Sequence, residues 1–105
     1  MAAASPFATI LAPTAHAQID SALLWWSRNR QAARHLLVQE LEAALRTIEL
    51  VPQVGRRTRS RLFRDVRRLL LRGTGYHLYY QVNDARREIR VVYFRHARRR
   101  PIARR

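Results

Sequence analysis

The chain has no cysteine and no lysine, and only three glycines and four prolines in 105 residues. Without cysteine there can be no disulfide and no thiolate metal site, which suits a reducing compartment and predicts a cytoplasmic protein. The four histidines, His16, His35, His77 and His96, lack ligand-like spacing, so neither a metal nor another cofactor is expected. No apolar run approaches the ~20 residues that a membrane-spanning helix needs. Acid is scarce as well: seven carboxylates face 21 arginines, for a net charge of +14. So short a chain can enclose one core, and a single domain follows.

The charge is uneven. Residues 1–50 are neutral, whereas residues 51–105 hold 17 arginines against Asp65, Asp84 and Glu88 and carry all of the excess. A one-sided field of this kind attracts a polyanion or an acidic protein and repels itself when alone. Arginine stays protonated and forms forked contacts to phosphate or carboxylate, but it is a poor general base. The opening "MAAASPFATILAPTAHA" ends in small residues like a secretory leader. It lacks a basic residue after Met1, and its short apolar stretch is stopped by Pro13, so export is not expected.

Periodicity orders the rest. A lead-in over residues 1–6 is expected to be disordered, and Phe7 to Leu11 reads as a short strand. Thr14 is placed to cap a first helix carrying Ile19, Leu23 and Trp26 at helical spacing. After a break at Asn29, a second helix is predicted from about Gln31 to Leu50, with Leu37, Leu41, Leu45 and Ile48 on one face. Pro52 and Gly55 end it, and "RRTRSR" (56–61) reads as a charged loop. The period then falls to two. Strands are expected over 66–71, in "YHLYYQV" (76–82) and over 88–95, joined by "GTG" and "NDARR". The expected fold is α+β: a strand, an antiparallel pair of helices, then three strands in an antiparallel sheet that the helices cover. The domain is predicted to span 7–98, with its helices packed on Val66, Leu78, Tyr80 and Val92 and a basic tail from Arg99 to Arg105.

Four segments in this order, "WWSRNRQAARHLLVQEL", Pro52 with Gly55, "VRRLLLRGTGYHLYYQV" and "VVYFRHARRRP", resemble the RelE/ParE superfamily of bacterial toxins from type II toxin–antitoxin systems. The resemblance runs from about Ala12 to Pro101 and implies a small basic toxin held in a hetero-oligomer by a cognate acidic antitoxin. RelE-like members cut messenger RNA on the ribosome without metal, holding the phosphate with basic side chains. Their pattern has Arg after the Tyr of "GYRLVY", where this chain has His77, and an aromatic residue beyond the last strand, which is missing here. ParE-like members are more similar, in "VRRLLLRGTGYHLYY" and "RHARR", and the resemblance there implies poisoning of DNA gyrase by contact, with no catalytic residue.

The surface expected to meet target or antitoxin comprises Arg67, Arg68, Tyr80, Arg95, His96, Arg98 and Arg99. On the alternative of a ribosome-dependent nuclease, His77 and His96 would be acid and base and Arg98 the phosphate clamp. An arginine-rich nucleic-acid-binding module is the other alternative, although no known binding motif is present. Trp25 and Trp26 are adjacent on one helix and cannot both face its core, so one is expected at an edge, under a loop or a partner.

Overall fold

In the computed structural model, which describes residues 5–98, one five-stranded sheet carries two helices on one face. The elements are β1 (Ala8–Leu11), α1 (Pro13–Asn29), α2 (Leu36–Leu50), β2 (Arg56–Thr58), β3 (Val66–Leu71), β4 (Tyr76–Asn83) and β5 (Glu88–His96). The sheet order is β1-β5-β4-β3-β2, with β1 parallel to β5 and the other pairs antiparallel. This is the α+β arrangement predicted, with one strand more. No described helix is long and apolar enough to cross a membrane. Residues 1–4 of the lead-in and the tail from Arg99 lie outside the described residues.

Helix α1 starts one residue earlier than Thr14 would allow. Ala12 occupies the cap position without a side-chain bond, and Pro13 follows as the first helical residue. Proline presets the helical φ there and lacks the N–H that would otherwise need a cap. The break at Asn29 is as expected, but the second helix starts later than Gln31. Residues Gln31–Ala33 form a single 3-10 turn, and the Trp26 indole N–H donates to the Ala33 carbonyl at 2.8 Å. That carbonyl is thereby held in the connection. Leu36 is the first residue of α2.

The core lies between the helices and the sheet. Ala15, Ile19, Ala22 and Trp26 from α1 and Leu37, Leu41, Ala44 and Ile48 from α2 meet Leu71, Tyr76, Leu78, Tyr80, Ile89, Val91 and Phe94. Leu45 is half-buried at its rim. Val66 and Val92 are buried too, but they are not members of this cluster. The reason lies in the register. Tyr79 pairs with Tyr93 but Tyr80 pairs with Val91, so Val92 is an extra residue in β5. Such a bulge shifts the alternation of faces by one. Ile89 and Val91 face the helices, as do Phe94 and His96, while Tyr93 and Arg95 turn to the open face.

The segment 56–61 is not wholly a loop. Arg56–Thr58 pairs with Val66–Arg68 as the edge strand of the sheet. What aims it is Tyr80, whose hydroxyl donates to the Pro52 carbonyl at 2.7 Å and accepts from the Gly55 N–H at 2.8 Å. A Cβ on Gly55 would lie 2.5 Å from the Tyr80 hydroxyl oxygen, so only glycine fits under the ring. Replacing Tyr80 by Phe leaves both backbone groups buried without that partner and should lower stability by about 1–3 kcal/mol in a denaturant titration. An unchanged midpoint would refute this role for the hydroxyl.

Candidate target-binding face

Registers across the sheet define the open face. Arg56 pairs with Arg68, Arg68 with Tyr79 and Tyr79 with Tyr93, which forms one row of side chains. His77 and Arg95 form the next. The rings touch edge-on in a chain: Phe63 to Tyr93 at 5.7 Å, Tyr93 to Tyr79 at 5.9 Å and Tyr79 to His77 at 5.9 Å. The Arg95 guanidinium lies over the Tyr93 ring, 5.1 Å from its centre. Two arginines directly opposite on neighbouring strands repel each other. Among the described residues no arginine has a carboxylate partner, the one ion pair being His16 with Asp20. The face is an aromatic strip flanked by unneutralised cations.

His77 sits in this strip with its pKa lowered, first by burial and then by the charges of Arg68 and His96. The neutral imidazole is therefore favoured. His96 pairs with Tyr76 rather than with His77, one residue out of step, and so lies toward the helix face. Its ring stands edge-on to Tyr76 at 5.1 Å, and its Nδ1 accepts from the Arg98 N–H at 3.2 Å. Gly75, at φ +84°, passes close beneath, where a Cβ would be 3.0 Å from Nε2 of His96. His77 and His96 are neighbours through the sheet, not partners across a shared surface.

The seven residues expected on a binding surface are dispersed. Arg68 and Arg95 belong to the open face, and Arg98 follows the last strand at the rim. Arg67 does not reach for solvent. It shares the helix-side face with Tyr80, and its guanidinium donates to the Gly55 carbonyl at 2.9 Å and the Gln53 carbonyl at 3.2 Å. Tyr80 is 0% exposed and cannot touch a partner, which corrects its expected place on the surface; burial also raises its phenol pKa. Arg99 lies outside the described residues. The contributions of Phe63, Tyr93 and Arg56 were missed, because pairing two strands away and a bulge bring them to this face.

The chain belongs to the family described as "ParE toxin of type II toxin-antitoxin system, parDE", which matches residues 9–101. It is a toxin of a type II toxin–antitoxin system. Among solved structures it is similar to the isolated E. coli RelE toxin, with 22% identity over 91% of this chain and 89% of that one, at a TM-score of 0.56. The intact E. coli RelBE toxin–antitoxin complex also matches, with 22% identity over 89% of this chain and 99% of that chain, at a TM-score of 0.47. The first of these likenesses shows the fold alone. No curated protein matches the chain.

Proposed function

We propose that this toxin poisons DNA gyrase by contact through the open face of its sheet, and that a cognate acidic antitoxin neutralises it in a hetero-oligomer. Membership of the ParE family is the observation that carries the reading. The geometry supports it: His77 and His96, the pair that a nuclease would use, turn to opposite faces. The face is rich instead in arginine and tyrosine, the residue types that anchor protein contacts. One observation favours a second reading, ribosome-dependent cleavage of messenger RNA. Phe63, Tyr93 and Tyr79 form an aromatic strip beside arginine, and such strips stack unpaired bases.

Supercoiling by purified gyrase and cleavage of ribosome-bound message, measured side by side, test the two. The toxin should inhibit supercoiling and leave message intact. Arg95→Ala should weaken the inhibition about tenfold, as loss of a central contact does. Message cleavage by the wild type, without effect on gyrase, would reverse the assignment.

A further inference from the structure

A second surface lies at the far end of β5, away from the open face. β1 pairs with β5 only over Glu88 to Val91, and the chain then leaves the sheet as the Ala12 N–H donates to the Val91 carbonyl at 2.9 Å. From residue 92 to 96, β5 has β4 on one side and no strand on the other. Helix α1 diverges there and leaves a groove of about 580 Å³, walled by Gln18, Ser21, Trp25, Tyr76, Phe94 and His96.

The backbone in this groove is set to pair. The Ala97 N–H donates to the Gly75 carbonyl, which directs the backbone groups of Arg95 and Ala97 toward β4. Backbone groups alternate sides along an antiparallel strand, so those of Phe94 and His96 point the other way, into the groove. The Phe94 N–H donates to Oε1 of Gln18 at 2.8 Å. A side-chain amide thus takes the place that the carbonyl of a further strand would take. At ~3.3 Å per residue the unpaired stretch accommodates about three or four residues of an added strand.

The walls indicate the composition of such a strand. Trp25 is 42% exposed although it is among the largest apolar side chains present, and Arg30 lies over its ring at 5.4 Å. Around the groove and its continuation past the 73–75 turn stand Arg30, Arg72, Arg95 and Arg98, and no carboxylate lines either part. The chain's own basic tail is repelled by such a rim, and an acidic segment is drawn to it.

We propose that this groove receives an extended acidic segment of a partner protein, added to β5 as a short strand beyond the end of β1, with an apolar side chain laid against Trp25. The claim rests on the acidic protein partner proposed above, and not on gyrase as the target.

The test uses the full chain with 12-residue peptides alternating Glu and Leu, compared with Lys–Leu peptides and a single-stranded oligonucleotide of the same length. The acidic peptide should bind and alter the tryptophan emission. Hydrogen exchange should then slow at the Phe94 and His96 amides, with little change at Arg95, already paired with β4. Trp25→Ala, at an exposed position, should keep the fold and weaken binding about tenfold. No binding, binding without protection of Phe94 and His96, or equal binding of the basic peptide would overturn the proposal. So would protection of these two amides by the oligonucleotide instead. A chain that inhibits gyrase but ignores the acidic peptide sinks the groove alone; one that takes it there without inhibiting gyrase sinks only the target.

Discussion

Truncating Leu41 to Ala should lower the stability of the chain by about 2–5 kcal/mol, because a cavity replaces a buried side chain between α2 and the sheet. Leu41 is 8% exposed and lies one helical turn from Leu37, which is fully buried, so little can collapse into the space. A domain near this size loses roughly 4–8 °C of melting temperature per kcal/mol. The effect should be large against the small margin of a short, self-repelling chain. Loss of ~10 °C or more in a thermal melt is the expected outcome. A melting temperature that stays put would mean that α2 faces the sheet by another side.

The other large effect separates contact poisoning from chemistry. Proton transfer near neutral pH is a task for histidine, so a nuclease should lose ~10²–10⁴-fold in cleavage when His77 or His96 becomes Gln. A contact poison would lose only part of an interface, and toxicity should weaken without vanishing. Toxicity is expected to survive both substitutions. His77 adds an independent check through its lowered pKa. The unfolded chain takes up this proton more readily than the folded one, so the stability that the neutral ring contributes is present above the ordinary histidine value. It is lost as pH falls through the lowered one. His77→Gln should flatten that acid-side loss in melts followed from pH 7 downward. Abolished cleavage in either variant would give the toxin a nuclease mechanism.

Much of this molecule is legible without coordinates. The apolar residues of α2 recur every three or four positions, and Tyr76, Leu78 and Tyr80 recur every second one. Both patterns name the buried face correctly, because a period depends only on local backbone geometry. The toxin family is legible in the same way, through segments kept in order along the chain. The placement of individual functional groups is not. Arg56–Thr58 looks like a charged loop because a three-residue edge strand carries no period of its own, and Val66–Arg68, eight residues further on, recruits it. Tyr80 looks like a surface aromatic until its hydroxyl is seen to hold Pro52 and Gly55.

The clearest case is β5. In "VVYFRH" two valines stand side by side, so the pattern is the same whether or not the register slips between them. Only pairing with β4 reveals that it does, at Val92. That one extra residue turns Tyr93 and Arg95 to the open face and sends His96 to the other side, parting it from His77. A strand's faces follow from its sequence as long as its pairing is regular, and a bulge is a property of two strands together.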